Sequence, residues 1–376
     1  MSGFLDDQDA AERILNHVEN GTTDHSDEVW REPVANYLNP ARLACETDEV
    51  MRRTPIAYCP SAALPDIGSY VARESARTPL VVVRGRDKKV RAFKNACRHR
   101  GTQVAEGSGC AKAFVCPYHG WTYQLDGSLK QVPHEEGFPG FDKSVHGLVP
   151  VDCEERLGMV FVTQEKSLWK ESPFQDLPQL IESDQKLMSA TEVDLDANWK
   201  VHLESFLEGY HIRFAHPETF YPYGYDNLNL IEFCGSHGRI TYPFRRIEKL
   251  ADVPKEKRNI DGRVTFVYHV FPNVVITVLS RHTNIVIIEP VTVDRTRVVT
   301  YVLTNAGGGE DAAALAERDH SFVTQTGAAE DIALVKSIQR SINSDANEHF
   351  TFGHYESLIA HFHRNLTAAL DGKPIE

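Results

Sequence analysis

Residues 198–220 read NWKVHLESFLEGYHIRFAHPETF. Glu208 stands three residues before His211, and His216 follows five later. On a helix, Glu208 and His211 lie about 60° apart around the axis, on one face. His211 and His216 would lie roughly 140° apart, so their imidazoles meet on one ion only if the helix ends or bulges between them. Pro217 supplies a reason for such an end, because it disfavours helical backbone at His216. The stretch therefore predicts two imidazoles converging at a helix end, with a carboxylate directed away from the ion. A histidine pair on a helix suits a plain core or surface equally well, so the rest of the chain has to decide.

The chain has 376 residues, 41% hydrophobic and 25% charged, an ordinary globular composition. That length suggests two domains with ample core. A formal net charge of −13, with no strongly basic segment to offset it, argues against nucleic acid as a partner. The opening MSGFLDDQDAAERILNHVEN (1–20) is acidic where a secretory signal would be basic and then apolar. No apolar run approaches the roughly 18 residues of a spanning helix. A cytoplasmic protein without a membrane segment is expected. Its seven cysteines then do not suggest a disulfide framework. Cys45, Cys59, Cys153 and Cys234 read as scattered buried residues, while Cys97, Cys110 and Cys116 crowd together, two of them near histidines.

Working outward, residues 4–19 carry Leu5, Ile14, Leu15 and Val18 among polar residues, a short amphipathic helix. It opens a helical arm over residues 1–52, bent at Pro33 and Pro40, expected to pack with the larger C-terminal domain. Residues 53–165 change to short strands broken by Gly and Pro, among them PLVVVRG (79–85), VRAFKN (90–95), KAFVCPY (112–118) and MVFVTQ (159–164), with a turn at LDGSLK (125–130). A polar linker over 165–190, with Pro173 and Pro178, marks a boundary. Residues 166–376 form the third segment. Its runs RVTFVYHVFP (263–272), NVVITVLS (273–280), TNIVIIEPV (283–291) and RVVTYVLTN (297–305) predict an antiparallel sheet, and two helices, about 311–341 and 352–370, finish the chain. The fold class is α+β: a small all-β domain and a larger one whose helices pack on one sheet face.

Cys97-Arg98-His99 and Cys116-Pro117-Tyr118-His119 form C-x-H and, sixteen residues on, C-x-x-H. Two knuckles on neighbouring hairpin loops would look like this, each followed by a glycine, Gly101 or Gly120, that permits a tight backbone approach. Two thiolates and two imidazoles suit a structural zinc ion. They also suit a Rieske [2Fe–2S] centre, in which Cys₂ binds one iron and His₂ the other. Cys110 fits neither knuckle and reads as core. A third metal ligand for the opening stretch must come from elsewhere. In AAEDIALVKSIQRSI (328–342), Asp331 shares a helix face with Leu334, Val335 and Ile338, where a carboxylate is costly unless it meets a cation or donors. Glu330 shares a less apolar face, so Asp331 is the expected ligand.

CRHRG (97–101) and CPYHGWTY (116–123) resemble the two cluster loops of Rieske proteins. Glu204, Glu208, His211 and His216 resemble, in order and spacing, the mononuclear-iron motif of the Rieske non-haem iron oxygenases (catalytic, or alpha, subunits of ring-hydroxylating oxygenases). The resemblance implies a [2Fe–2S] cluster on Cys97, His99, Cys116 and His119, and Fe(II) on His211, His216 and Asp331, a facial triad with open positions. It implies a helix-grip, START-like catalytic domain. Electrons would come ultimately from NAD(P)H through a ferredoxin or reductase, O₂ would be activated at the iron, and oxygen would enter an organic substrate. The two metals of one chain are too far apart in this architecture, so a head-to-tail homotrimer is implied. Glu208 would bridge His119 of one subunit to His211 of the next, accepting from both imidazoles. The family more often has Asp there, and many members have Asn where this chain has Ser205. Arg98, Arg100 and Lys112, with Trp121, are candidates for a donor-docking surface or for hydrogen bonds to the cluster loops.

The aromatic-rich segments 220–233, 266–271 and 350–355 suggest an aromatic or related hydrophobic substrate first. A quaternary ammonium compound comes second, suited to an aromatic cage and to the Glu bridge. A Rieske electron carrier fused to a binding domain is the alternative without catalysis.

Overall fold

The computed structural model describes residues 3–169, 171–305, 310–373 and 375. The chain divides into two compact units, Met51–Ser167 and Met1–Val50 with Leu168–Glu376.

In the first unit, seven strands form one antiparallel sheet in the order Ile56–Pro60, Met159–Thr163, Pro150–Arg156, Val90–Lys94, Thr78–Arg84, Ser69–Ser75 and Gly107–Cys110. The run PLVVV buries Leu80 through Val83 completely, as expected for a central strand. A second sheet has three short strands, Phe114–Val115, Thr122–Tyr123 and Leu129–Gln131. The expected strand over 112–118 is thus only two residues long, because the chain turns into the second Cys/His loop. Trp121, Phe114, Leu125, Phe93 and Leu148 fill the core beneath both loops.

The second unit is built on a seven-stranded antiparallel sheet in the order Lys186–Leu195, Arg295–Thr304, His282–Thr292, Val274–Val278, Val264–Val270, His237–Pro243 and Leu230–Cys234. Three of these strands lie where none was expected. Lys186–Leu195 overlaps the expected linker; it is a sheet-edge strand, almost wholly exposed, so its polar residues carry no apolar alternation. Leu230–Cys234 and His237–Pro243 form a hairpin whose Glu232 and Arg239 make a buried ion pair at 2.7 Å, and those charges mask the strand pattern. On the opposite face, Gly238 lets the last helix approach: a Cβ there would stand 2.3 Å from Leu358 Cδ1.

The arm is less helical than its sequence suggests. Asp7–Asn20 is a helix, capped by Asp6 at its start and by Gly21 at its end, and it packs Ala10, Ala11 and Ile14 against Leu228, Leu230 and Ile247. Burying Ile14 contributes roughly 1.5–3 kcal/mol. Trp30–Pro33, however, is a strand paired with His349–Phe352. The expected long helix over 311–341 is two helices, Glu310–Gln325 and Gly327–Ser341, meeting at Thr326, whose backbone is not helical. Gly327 is needed there because a Cβ would sit 2.1 Å from the Phe220 ring. The last helix is Ser357–Leu370. No helix among the described residues is long and apolar enough to cross a membrane.

Candidate metal centres

The two Cys/His loops have the same backbone. Cys97 N–H donates to Thr102 O at 2.8 Å and its carbonyl accepts from Gly101 N–H at 2.8 Å; Cys116 does the same with Trp121 O at 2.8 Å and Gly120 N–H at 3.0 Å. Gly101 and Gly120 have φ of 82° and 75°, the left-handed region where glycine is at ease. The loops present the four side chains asymmetrically. Cys97 and Cys116 are buried in the core, His99 is half-buried and His119 exposed. The Nδ1 atoms of the two histidines face each other at 3.1 Å. Desolvation, then His119 and Arg100, hold His99 below its ordinary range, so it keeps a free lone pair. Two inner thiols and two outer imidazole nitrogens are the donor set a two-iron cluster takes.

Tyr123, which the sequence reading did not single out, donates its hydroxyl to Cys97 Sγ at 3.2 Å and accepts from Arg98 N–H at 2.8 Å. Its signal was an aromatic hydroxyl two residues beyond Trp121. Trp121 is buried and stacks on His99 with ring centroids 4.9 Å apart, so it supports the loop and does not form a docking surface. Arg100 donates to Tyr118 Oη in the second cluster loop, one of the two roles considered for it, while Arg98 donates to Gly147 O outside both loops. Cys110 and Cys45, expected in the core, are exposed, and Cys153 is only half-buried.

The second centre departs from the continuous helix expected over 198–216. The helix runs only over Trp199–Glu204, started by Asn198, whose side chain accepts from Lys200 N–H at 2.9 Å. It is held to the arm by the buried pair Lys200–Glu46 at 2.7 Å. The chain then turns and resumes as Ile212–Ala215. Tyr242, from the hairpin, bonds the carbonyls freed by the break, Glu208 O at 2.8 Å and Phe206 O at 3.3 Å. Glu208 therefore meets His211 across a turn and not along a helix face. Its carboxylate accepts from His211 N–H at 3.1 Å and from His211 Nδ1. Arg213 pairs with Asp226 at 2.8 Å and leaves Glu208 to His211.

Helix Gly327–Ser341 brings Asp331 to the same point. Asp331 Oδ1 lies 3.0 Å from His216 Nε2 and 3.7 Å from His211 Nε2, and the three ligand atoms fall within 4.8 Å of one another. His216 Nε2 is buried and has no hydrogen bond, despite its nearness to Asp331. Bonds of about 2.1 Å to a common ion, at the near-right angles of a facial triad, would place ligand atoms about 3 Å apart. The donor set fits a mononuclear iron.

The face argument that led to Asp331 does not hold: Leu334 and Ile338 are 47% and 40% exposed. Glu330 has its own place. It accepts from His216 Nδ1 at 2.7 Å and from Thr219 Oγ1 at 2.7 Å. Each imidazole thus has its outer nitrogen on a carboxylate, Glu208 or Glu330, and its inner one toward Asp331. Burial works against an imidazolium at His211 and His216, but these acids outweigh it and both are raised above their ordinary range. The same field favours a dication. Glu204 stays out of this group; it is buried, accepts from Tyr37 Oη at 2.7 Å and His363 Nε2 at 2.8 Å, and burial pushes it up to about 8. Ser205 donates to His202 O. Of the aromatic segments, Phe220 reaches the triad, 4.7 Å from His216 between ring centroids. Phe266 and Tyr268 instead cover Arg239, and Phe350 and Phe352 pack on Tyr37 and His363.

Comparison with known proteins identifies a domain around each centre. Residues 54–142 match the Rieske [2Fe-2S] domain, and residues 183–372 match the catalytic domain of the ring-hydroxylating alpha subunit. The carnitine monooxygenase oxygenase subunit of Escherichia coli (strain K12) is 36% identical over 200 residues, 50% of this chain and 53% of that one. The glycine betaine monooxygenase oxygenase subunit of Chromohalobacter salexigens is 33% identical over 196 residues, 50% and 43% of the two chains. The 2-aminobenzenesulfonate 2,3-dioxygenase subunit alpha of Alcaligenes sp is 36% identical over 175 residues, 43% and 44%. The matches thus span about half the length of these relatives. In fold, the chain is similar to the quaternary ammonium Rieske monooxygenase CntA (TM-score 0.76, 24% identity, 96% and 97% covered). It is as similar to naphthalene 1,2-dioxygenase from Rhodococcus sp. (0.76, 20%, 98% and 99%). With paired Cys/His loops in one unit and the His211–His216–Asp331 convergence in the other, the chain belongs to the ring-hydroxylating alpha subunits, which join a Rieske domain to a catalytic domain.

Proposed function

We propose that this chain is the terminal oxygenase of a multicomponent system, inserting oxygen from O₂ into a quaternary ammonium compound that bears an acid group. The carrying observation is the triad, with His211 Nε2, His216 Nε2 and Asp331 converging while Glu208 and Glu330 hold the outer imidazole nitrogens. The iron held there would supply dioxygen activation, and the cluster would supply single electrons. The electrons would come from a separate ferredoxin or reductase. The remaining work belongs to the chain. Glu208 and Glu330 fix ring orientation and tautomer, so that both lone pairs point inward. Phe220 closes the buried side of His216 against water. The relatives named for carnitine and glycine betaine support a quaternary ammonium compound over the aromatic class ranked first from sequence, and both of those compounds carry carboxylates. Hydroxylation of an aromatic acid is the second reading, favoured by the 2-aminobenzenesulfonate relative. A mere electron carrier would have no use for the triad.

The outer surfaces support transfer between copies in a homotrimer. His211 and Glu208 are partly exposed, beside Phe214 at 80% and Tyr210 at 56% exposure. His119 is exposed, with Tyr118 stacked on it at 3.8 Å between ring centroids. We assign Glu208 the bridge from His211 to His119 of a neighbouring copy. The structure of a quaternary ammonium Rieske monooxygenase that shares the fold is described as giving insights into inter-subunit electron transfer. Substrate-dependent O₂ consumption by the reductase-supplied protein, followed by product analysis, tests the activity. Glu208→Gln should retain both metals yet lose most turnover; full activity in that variant removes Glu208 from the electron path.

A further inference from the structure

The strand His282–Thr292 turns an unusual set of side chains toward the helices. His282 is fully buried, and neither of its ring nitrogens has a hydrogen-bond partner. Two residues on, on the same face, Asn284 Oδ1 is buried and unpaired as well. From helix Glu310–Gln325, the His320 ring meets that of His282 edge-on with centroids 5.5 Å apart, and its Nδ1 is buried without a partner. Thr283, between them, faces the other way and bonds Gln185 and Asn305. Each buried unsatisfied polar atom costs about 1–3 kcal/mol. Four from three neighbouring side chains mark a place where something else completes the bonds.

The sheet register relates this cluster to the triad. Ile240, Val267, Thr277 and Asn284 are successive cross-strand partners, so they share a face. Tyr242 and His282 each lie two residues further along in the same direction, on that same face. Tyr242 carries on its hydroxyl the Phe206–Glu208 turn that leads to His211. Three strand spacings separate the two ends, about 14 Å between backbones and less between side chains. The side chains between them, such as Val267 and Thr277, are short. That is the span of a small organic molecule with its reacting end at the triad and its other end at the histidines.

We infer that His282, Asn284 and His320 anchor an anionic group, a carboxylate or sulfonate, at the end of the substrate remote from the metal. This rests on the oxygenase reading above. Burial, then His320, pushes His282 down to about 4, and burial lowers His320 too, so both are neutral imidazoles, each with one N–H to give. With its amide turned to place Nδ2 where Oδ1 stands unpaired, Asn284 adds further donors. Of the acids facing the two rings, Asp319 beside His282 is engaged by Arg281 at 3.1 Å, and Glu317 beside His320 lies exposed on the helix surface. Arg281 and nearby Arg246, the latter donating to Ser280 Oγ at 3.2 Å, make the rim positive.

Calorimetric titration of the full-length, iron-loaded protein with trimethylammoniobutyrate and with butyltrimethylammonium isolates the acid group. The acid is expected to bind at least tenfold tighter. His282→Phe should cut that preference by about tenfold or more while leaving the neutral-ended cation within about twofold. Asn284→Leu and His320→Leu read the same ratio, and His320→Leu, on a half-exposed helix, carries the test should His282→Phe fail to fold. An unchanged ratio in folded variants overturns the anchor, as does equal binding of both probes by the native protein; the quaternary ammonium reading then stands alone. If neither probe binds but 2-aminobenzenesulfonate binds over aniline in a His282-dependent way, the anchor stands and the quaternary ammonium reading falls.

Discussion

At His216 both ring nitrogens face acids, Asp331 at 3.0 Å and Glu330 at 2.7 Å, while the ring itself is fully buried. A ligand imidazole is only as well aimed as the group on its other nitrogen. Glu330→Ala leaves the three ligands in place but frees that nitrogen. Iron affinity should fall about 10–100-fold, read by competition with a chelator, with the visible spectrum of the cluster unchanged. Partial burial would raise the Glu330 carboxyl, yet the His216 and Thr219 bonds hold it below the usual range, so it is an anion throughout neutral pH. Glu204 is the opposite case. Burial lifts it to about 8, so the folded protein keeps a proton that the unfolded chain releases above the ordinary carboxylate range. Its contribution to stability is present at low pH and is lost as pH rises through about 8. Buried neutral histidines such as His363, pushed down to about 4, act in the opposite sense but are spent above their ordinary range. Between pH 6.5 and 8 the native protein should therefore lose on the order of 1–2 kcal/mol relative to Glu204→Gln, seen by denaturant titration at the two pH values.

Among the elements, the broken helix after Glu204 matters most. The break lies before His211; His211 and His216 then flank the short helix Ile212–Ala215, which ends at His216, whose backbone (φ −124°, ψ 46°) is no longer helical. The break frees the carbonyls of Phe206 and Glu208, and Tyr242 accommodates both. Gly209 allows the close approach, since a Cβ there would lie 2.3 Å from Asn229 Oδ1. Tyr242→Phe should cost about 1–3 kcal/mol by leaving part-buried carbonyls unpaired. It should also reduce iron retained on dialysis, because the turn that positions Glu208 and His211 loosens. Stability loss with full iron retention would mean that the turn holds itself.

For the whole molecule, the proposed ring of copies makes a prediction no single chain can meet. Cys97→Ser removes cluster ligation and Asp331→Ala removes the iron; each variant alone should be inactive. Co-expressed mixed oligomers should recover a substantial fraction of native turnover, because an intact cluster in one copy then faces an intact iron site in the next. Absence of recovery in verified mixed oligomers would point to transfer within one chain.

The candidate cluster ligands and the His211–His216 pair stood out in the linear sequence because their spacings are local: C-x-H, C-x-x-H and E-x-x-H-x-x-x-x-H each lie within one loop or turn, whereas Asp331, 115 residues beyond His216, had no such local signal. The long Val/Ile-rich strands were legible for the same reason, since burial on both faces leaves a continuous apolar run. What depended on partners distant in the chain was not. Glu330 reads as an ordinary helix-surface acid until residue 216 comes beside it. Tyr242 reads as a strand tyrosine until the turn at 205–211 comes to rest on its hydroxyl. The edge strand Lys186–Leu195 reads as linker because exposed strands have no alternation to show. His282 and His320 are 38 residues apart, and only the fold reveals that they are buried together without partners. Sequence by itself determined the candidate donors of each local motif, whose chemistry is carried by residue type and spacing. The tertiary structure decided which acids stand behind the two imidazoles and which polar groups are buried without partners, because burial and hydrogen-bond pairing exist only once distant segments meet.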